Sequence, residues 1–269
     1  MNNFKIDDDQ EFIENDGVWT HHKKGITYNE IPNSLFKYYS MNEYNLDAIK
    51  NGYFFLSNPK EFNDPFDCSR NFIIENRKDF IDGEYVPCLN NVKNIGISCF
   101  TENDLNPLMW GHYTKSYQGF TIKIKSKFEI LNKENVNDKK IIKVIYSNNP
   151  NPINKAHPLS RDYQFIMKLK DWEYENELRL IVERKNNLNK VFYNKADIEE
   201  FCFGYNFLEY NNQLKNKLLK IIEEEYPNIP IYSVGPDAKE FKLNKVKLVK
   251  GTVQDGLDFI EKRFKKLFN

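Results

Sequence analysis

The middle of the chain contains two runs in which apolar residues occupy every second position. A short aromatic segment separates the two runs. The first run covers residues 95–100 and the second covers residues 120–124. Apolar residues at every second position predict strands with one buried face. Between the runs, Asn106 and Pro107 predict the start of a helix, because proline is tolerated in the first helical turn. A strand, a short helix and a second strand in this order constrain the surrounding fold more than any other part of the sequence.

The helix predicted between the two strands carries Trp110, His112 and Tyr113. Polar and aromatic side chains at one end of a sheet suit the wall of a pocket for a flat ligand. The same pattern is consistent with a packing role, in which Trp110 and Tyr113 belong to the core and His112 lies at its rim. The sequence therefore leaves two interpretations of this helix open.

The length and composition of the chain favour one hydrophobic core. A chain of 269 residues that is 40% hydrophobic and 15% aromatic can form a single α+β domain with an N-terminal extension. We predict an extension at residues 1–33 and a main domain at residues 34–250, with a central mixed, largely antiparallel sheet flanked by helices. A C-terminal helix at residues 251–269 is expected to pack on this domain.

The charge and hydropathy of the chain exclude some classes of function. Lys and Arg number 39 and Asp and Glu also number 39, which predicts no strong electrostatic attraction to nucleic acid or to an anionic membrane. No apolar run approaches the roughly 20 residues that span a bilayer, and the acidic start of the chain is unlike a signal peptide. We expect a cytoplasmic protein without a membrane partner.

Cysteine and histidine spacing predicts no metal site. The four cysteines form no Cys-x-x-Cys pair, so that buried, reduced thiols are expected rather than zinc ligands. Adjacent residues of a strand point to opposite faces, which makes His21 and His22 poor joint ligands and predicts exposed imidazoles. The cysteines lie at four separate positions: Cys68, Cys88, Cys99 and Cys202.

Residues 61–67 predict a stiff loop. Asn63 and Asp64 can bond to their own backbone, and the proline that follows them fixes φ. Phe62 and Phe66 are expected to be buried beneath the loop. A rigid loop with two carboxylates is either a platform for catalysis or a turn without further function.

Residues 172–182 carry the second group of chemically interesting side chains. If the stretch begins as a strand, Glu173, Glu175, Glu177 and Arg179 share one face. If it begins as a helix, Glu173 and Glu177 share a face and Glu175 separates from them. Crowded carboxylates predict a glutamate with a raised pKa that suits acid–base catalysis, unless a cation meets them. A solvated edge strand with alternating charges is the alternative.

Five motifs in order resemble the bacterial family called domain of unknown function 2971. The resemblance extends from about Leu35 to Val249 and implies kinship without specifying an activity. The motifs are LFKYYS, NGYFFLSNPKEFNDPFDC, ISCFT followed by MWGHY and GFTIKI, VIYS, and WEYENELRLI.

A more distant resemblance concerns the ADP-ribosyltransferase-like folds. The chain is similar to them in its order of an aromatic and basic first strand, a helix ending in Asn-Gly, a second strand and a late strand with glutamates. Enzymes of this type stabilise the positive charge that develops on the ribose of NAD as nicotinamide leaves. The resemblance therefore implies an ADP-ribosyltransferase-like fold and NAD as the substrate.

The same resemblance implies roles for individual residues. Glu177 would stabilise the positive charge, and Glu175 would activate an incoming guanidinium as the first member of a Glu-x-Glu pair. Position 37 is Lys where His or Arg is usual, and no Ser-Thr-Ser motif is present. In such enzymes a first-strand residue contacts NAD, and Lys37 or Tyr38 would take that role here. A residue of a middle strand contacts the nicotinamide ribose, and Ser98 or Tyr113 would take that role.

The leading functional prediction is an NAD-dependent ADP-ribosyltransferase-like enzyme that modifies a protein or a nucleic acid, in a toxin or phage-defence setting. The predicted catalytic residues are Glu177, Glu175 and Tyr113. The predicted NAD-binding residues come from all the segments described above: Lys37, Tyr38, Ser98, Asn63, Asp64, Trp110, His112 and Arg179.

Two further functions are compatible with the same residues. A metal-dependent nuclease or phosphodiesterase would bind Mg²⁺ through Asp64, Asp67, Glu175 and Glu177. A non-catalytic domain would use the aromatic pocket to bind a nucleotide or a partner.

Overall fold

The computed structural model describes residues 2–28, 30–74, 92–185, 188–207 and 212–248. Cys88 and the helix predicted at residues 251–269 lie outside these residues. The described part of the chain forms four α-helices: α1 (Glu43–Asn51), α2 (Pro107–Tyr113), α3 (Ser160–Ile166) and α4 (Asn212–Glu225). Short 3-10 helices occur at Pro59–Glu61, Arg70–Phe72, Lys133–Asn135, Lys170–Glu175 and Lys195–Asp197.

The strands are short and are distributed along the whole described chain. They are β1 (Asn2–Lys5), β2 (Gln10–Asn15), β3 (Val18–Lys23), β4 (Ile26–Thr27), β5 (Ser34–Tyr39), β6 (Tyr53–Phe55), β7 (Ile73–Ile74), β8 (Ile95–Thr101), β9 (Phe120–Lys125), β10 (Val136–Lys143), β11 (Ile145–Tyr146), β12 (Ile153–Asn154), β13 (Met167–Lys168), β14 (Glu177–Arg184), β15 (Lys190–Phe192), β16 (Ile198–Phe203), β17 (Ile231–Pro236) and β18 (Leu243–Lys247).

The largest sheet has eight strands, in the order β10, β14, β8, β5, β9, β16, β17 and β18. Strands β16 and β17 are parallel, whereas β10 and β14, β5 and β9, β9 and β16, and β17 and β18 pair antiparallel. A four-stranded sheet contains β1, β2, β3 and β4 in that order. Three two-stranded sheets pair β11 with β13, β12 with β7, and β15 with β6. The predicted α+β fold with a mixed, largely antiparallel sheet is confirmed.

The described chain divides into two compact units. The first unit consists of the described residues within Met1–Ile31, Leu56–Cys99 and Lys133–Asn189. The sheet β1 to β4 contributes Ile6 and Phe12 to its core. The core also contains buried side chains from β8, α3 and β14, which include Ile97, Tyr163, Phe165 and Ile181.

The second unit consists of the described residues within Pro32–Phe55 and Phe100–Asn132 and from Lys190 onward. Helix α1 begins where the Asn42 side chain accepts a hydrogen bond from the backbone N–H of Asn45. It ends at Gly52, whose φ of 67° is left-handed, as Asn51-Gly52 predicts for a helix C-terminus. Helix α2 begins as predicted, with Asn106 accepting from two backbone N–H groups of the first turn.

Among the described residues, no helix is both long enough and apolar enough to cross a membrane.

Candidate functional site

The acidic segment of the first unit changes conformation in the middle of the Glu-x-Glu pair. Lys170–Glu175 is a 3-10 helix, and β14 begins only at Glu177. Between them Asn176 adopts a left-handed conformation with φ of 42°, which Asn tolerates better than most residues. The predicted strand face that carries four charged side chains is therefore wrong. In the structure Glu173 turns away and its carboxylate lies 2.7 Å from the Lys23 ammonium.

Five ionisable side chains of the first unit form a buried charge cluster. Three are carboxylates, two are cations, and each is 7% exposed or less. Three carboxylates against two cations leave one formal negative charge in excess. The members of the buried charge cluster are Asp67, Lys168, Glu175, Glu177 and Arg179.

The guanidinium of Arg179 is the centre of this cluster. Its Nη1 and Nη2 atoms donate to the two carboxylate oxygens of Asp67 at 2.7 and 2.6 Å. Its Nε and Nη2 atoms donate to Glu177 at 2.8 and 3.0 Å. A further bond from Nη1 reaches the carbonyl oxygen of Phe165 at 2.7 Å. Bidentate pairs of this kind fix both distance and orientation, so that Glu177 and Asp67 are held rigidly.

The ammonium of Lys168 joins the two members of the Glu-x-Glu pair. Its Nζ atom lies 2.5 Å from Glu175 Oε2 and 2.9 Å from Glu177 Oε2. The same atom lies 5.3 Å from the centre of the Trp172 ring, a distance at which a cation is attracted to an aromatic face. The two glutamates therefore meet on one cation, although the helical alternative predicts that Glu175 separates from Glu177.

The charges of the cluster determine the protonation of Glu177. Burial alone would raise its pKa, but the positive charges of Arg179 and Lys168 outweigh burial and lower the pKa to about 2. The sequence predicts a raised pKa for a crowded glutamate unless a cation meets it, and here two cations meet the carboxylates. Burial opposes the charged form of Lys168 as well, and the carboxylates of Glu177 and Glu175 nevertheless raise its pKa above the ordinary value.

The loop at residues 61–67 contributes Asp67 to the cluster. Its stiffness is confirmed locally, since the backbone N–H of Phe66 donates to Asp64 Oδ1 at 2.9 Å and that of Asp67 donates to the Asp64 carbonyl at 3.1 Å. Phe62 packs against the core as predicted, with its ring 5.1 Å from the Arg179 guanidinium. The predicted burial of Phe66 is wrong: as a central residue of the turn it is 54% exposed.

Three other predicted site residues of this unit lie in that loop or on β8. Asn63 is exposed, whereas Asp64 is buried, and its Oδ2 atom has no hydrogen-bond partner among the described residues. Ser98 is also buried. The side chain of the next residue, Cys99, bonds to Glu177. Neighbouring strand residues face opposite sides, so that Ser98 faces away from the buried charge cluster.

The remaining predicted site residues belong to the second unit. Trp110 is fully buried, and its indole N–H donates to the Asp104 carbonyl at 2.6 Å, as the packing interpretation predicts. The Tyr38 ring contacts Trp110 edge-on, with 5.3 Å between ring centres. His112 is exposed and Tyr113 is 37% exposed. Tyr113 thus lies outside the core, unlike Trp110.

Lys37 lies among aromatic rings of the second unit. Its ammonium is 5.1 Å from the centre of the Phe100 ring and 5.8 Å from that of Tyr39. Glu177, Glu175, Arg179, Asn63, Asp64 and Ser98 belong to the first unit, and Lys37, Tyr38, Trp110, His112 and Tyr113 belong to the second. The buried charge cluster consists of first-unit residues alone.

The side chains that commonly bind metals in proteins are those of His, Cys, Asp and Glu. The described residues contain no group of three His, Cys, Asp or Glu side chains arranged to hold a metal ion. His21 is buried, which corrects the predicted exposure, and burial lowers its pKa to about 4. Cys68 and Cys202 are buried free thiols, as predicted, and Cys99 is partly buried.

Lys168 is the site residue that sequence reasoning overlooked. It lies between Met167 and Leu169, and these apolar neighbours are the local signal in the sequence for its burial. The requirement that something cationic meet the clustered glutamates pointed to the same residue type. The sequence alone did not indicate which of the 39 basic residues would supply that charge.

Part of the chain is similar to a known protein family. A family model described as Protein of unknown function (DUF2971) matches residues 109–180. The match includes most of α2, Lys168 and the start of β14, and it is shorter than the predicted resemblance from Leu35 to Val249. No curated protein and no solved structure matches the chain, and an ADP-ribosyltransferase relation receives no support from these comparisons.

Proposed function

We propose that the chain is an enzyme of ADP-ribosyltransferase type that breaks the bond between nicotinamide and ribose in NAD. Glu177 is the residue proposed to stabilise the transition state. The proposal depends on one observation, namely that Glu177 is buried and yet held ionised by Arg179 and Lys168, with a pKa of about 2.

The chemistry of nicotinamide loss requires such a group. Nicotinamide is already cationic in NAD, and positive charge shifts to the ribose as the bond breaks. A fixed carboxylate stabilises that charge more strongly in a buried site than in water. Because Arg179 and Asp67 hold Glu177 in one orientation, little reorganisation accompanies the reaction.

Glu175 is proposed to act on the acceptor. It shares the Lys168 ammonium with Glu177, so that a group bound by one carboxylate also lies near the other. A carboxylate in this position would orient a guanidinium or hydroxyl nucleophile. The acceptor is proposed to be a protein or a nucleic acid, in a toxin or phage-defence setting for which kinship is the argument.

The observed contacts favour this proposal over a metal-dependent nuclease or phosphodiesterase. Both carboxylate oxygens of Asp67 accept bonds from Arg179, and one oxygen each of Glu175 and Glu177 accepts from Lys168. Carboxylates that bind Mg²⁺ offer their oxygens to the metal instead.

One observation favours a non-catalytic binding domain as the second candidate. Every carboxylate of the buried charge cluster has a cationic partner within 3 Å, as in a network whose role is structural. In that case the aromatic second unit would bind a nucleotide or a partner and would catalyse no reaction.

Release of nicotinamide from NAD tests the proposal. Glu177→Gln preserves the size of the side chain but removes the negative charge and one of the two oxygens that accept hydrogen bonds from Arg179 and Lys168, and we expect a loss of about 100-fold or more. Glu183→Gln is the matched control, because Glu183 lies on the same strand and pairs with Arg161 at the surface. Circular dichroism verifies that both variants fold.

Two results would contradict the proposal. The first is nicotinamide release by Glu177→Gln at the wild-type rate. The second is an activity that a chelator abolishes and that proceeds without NAD, which would indicate the metal-dependent alternative. Binding of NAD without any release would favour the non-catalytic domain.

A further inference from the structure

The two cations of the buried charge cluster differ in how firmly they are held. The Arg179 guanidinium is fully buried and donates to two carboxylates and to the Phe165 carbonyl. Lys168 instead reaches the cluster with a single ammonium at the end of a flexible stem, where it behaves as a point charge. The Lys168 ammonium is therefore the cation that another group could replace.

The surroundings of this ammonium resemble those of a bound organic cation. Two carboxylates, from Glu175 and Glu177, lie 2.5 and 2.9 Å away. The face of Trp172 lies 5.3 Å away, and proteins use aromatic faces to recognise ligand cations. Trp172 is only partly buried, so that this aromatic wall extends to the surface of the unit.

We infer that the Lys168 ammonium occupies a subsite for the positively charged group of a substrate and leaves it when that substrate binds. The inference rests on the proposed function, in which two groups carry such a charge. One is the guanidinium of an acceptor, and the other is the pyridinium ring of NAD.

Charge balance couples the departure of Lys168 to the arrival of the substrate. If Lys168 left alone, three buried carboxylates would face only Arg179, and uncompensated buried charge is strongly unfavourable. Exchange of one cation for another leaves the balance unchanged. The subsite therefore stays closed until a cation of suitable shape enters, which would limit the loss of NAD to water.

A second observation concerns the loop that carries Asp67. Asp64 lies in the same loop and is 6% exposed, and its Oδ2 atom has no hydrogen-bond partner among the described residues. Buried carboxylate oxygens almost always accept hydrogen bonds. The loop therefore contains a buried acceptor, and a guanidinium, with five N–H donors where an ammonium has three, offers more donors to such a group.

Chemical rescue tests the inference in the full-length chain. Lys168→Ala removes the ammonium and leaves space, whereas Lys168→Met removes the charge and fills the space. Melting temperatures are measured with methylguanidine, which carries a guanidinium and no amine, and with 1-methylnicotinamide, which carries a pyridinium ring. We expect one probe to raise the Tm of Lys168→Ala by about 3 °C at ten times its Kd, and the Tm of Lys168→Met by less than a third of that.

The identity of the effective probe distinguishes the two sources of charge. A rise with methylguanidine assigns the subsite to the acceptor, and a rise with 1-methylnicotinamide assigns it to NAD. No rise in Lys168→Ala with either probe, or equal rises in Lys168→Ala and Lys168→Met, would overturn the inference.

Acetylation of the wild-type protein keeps the inference testable if Lys168→Ala does not fold. Lys168 is buried, so that acetic anhydride should modify it slowly, while the exposed Lys170 serves as the internal reference. The effective probe should increase modification of Lys168 several-fold and leave Lys170 unchanged. Constant modification of Lys168 at saturating methylguanidine and 1-methylnicotinamide would overturn the inference.

Both readouts are independent of catalysis. Probe binding and acetylation require no NAD, so that their failure leaves the result on nicotinamide release unaffected. Absence of nicotinamide release would contradict the proposed function while leaving a positive rescue in place as a cation site of unassigned use.

Discussion

Lys168 and Glu175 show how strongly a buried ion pair depends on both of its members. Removal of Lys168 alone leaves buried carboxylates without their cation, which costs about 3–5 kcal/mol when one partner of such a pair is lost. We therefore predict that Lys168→Met lowers the free energy of unfolding by that amount in urea denaturation. The double variant Lys168→Met, Glu175→Gln should recover at least about 1 kcal/mol, because it removes one charge of each sign. Strict additivity of the two substitutions would show that the residues do not interact.

Glu177 predicts a pH dependence of stability at acid pH. Its pKa is lowered from 4.5 to about 2 on folding, so that the unfolded chain binds the proton more readily. Ionised Glu177 therefore contributes on the order of 3 kcal/mol to the free energy of unfolding. This contribution is complete above about pH 4.5 and is lost as the pH falls through about 2. Acid denaturation of Glu177→Gln should lack this component, and a curve parallel to that of the wild type would contradict the assignment.

The burial of His21 predicts a second change of stability with pH, in a higher pH range. Burial lowers its pKa from 6.5 to about 4, so that the native state favours the neutral imidazole. Stability should fall as the pH decreases from about 6.5 to about 4, because only the unfolded chain is protonated there. His21→Gln should flatten this range in urea titrations, and His22→Gln, at the partly buried neighbour, should not. Equal behaviour of the two variants would argue against burial of His21 as the cause.

At the scale of elements, the sheet β1 to β4 is part of the first unit. Phe12 is 5% exposed and belongs to the core cluster, and the side chain of Gln10 donates to the Tyr146 carbonyl at 3.0 Å. Asp7 accepts from the Ser147 hydroxyl at 2.6 Å. These contacts join the N-terminal sheet to β11, which lies next to the strand that carries Lys168.

This packing predicts a large cost for substitution at Phe12. Phe12→Ala should lower the free energy of unfolding by about 3–5 kcal/mol, as expected for a large side chain removed from a core. Val18→Ala on the same sheet is the control, because Val18 is 62% exposed and should cost less than about 0.5 kcal/mol. If urea denaturation showed a loss below 1 kcal/mol for Phe12→Ala, the sheet would behave as the separable extension that the sequence suggests.

The short elements of the candidate site show where local sequence patterns fail. Alternation of charge from residue 172 onward left a strand start and a helical start open. Asn176 adopts a left-handed conformation and divides the segment into a 3-10 helix and β14. Phe62 and Phe66 are equally apolar, yet only Phe62 packs on the core, because Phe66 lies at the centre of a turn. Backbone reversal, rather than residue type, decides these outcomes.

For the whole molecule, the sequence predicts the fold class better than the site. Alternating runs around a Pro-initiated helix predicted β8, α2 and β9, and Gly52 predicted the end of α1. These features depend on interactions between residues close in sequence. The division into two compact units depends on contacts between distant segments, which alternation and helix caps do not reveal.

The candidate site depends on pairings of that distant kind. Glu177 and Arg179 are two residues apart on one strand, so that their proximity is predictable from local alternation. Asp67 joins Arg179 across 112 positions, and Lys168 reaches the pair from β13. These partners decide the protonation of Glu177: the sequence predicts a raised pKa for a crowded glutamate unless a cation meets it, and the surrounding cations lower the pKa of Glu177.

The pH dependence of nicotinamide release tests most directly the claim that Glu177 acts as a permanently ionised carboxylate. With a pKa of about 2, Glu177 stays ionised throughout the range from about pH 8 to about pH 5, so that kcat should vary by no more than about twofold. A decrease approaching tenfold per pH unit below about pH 6.5, absent from Glu177→Gln, would identify a glutamate with a raised pKa that acts as an acid or a base. That result would contradict the account.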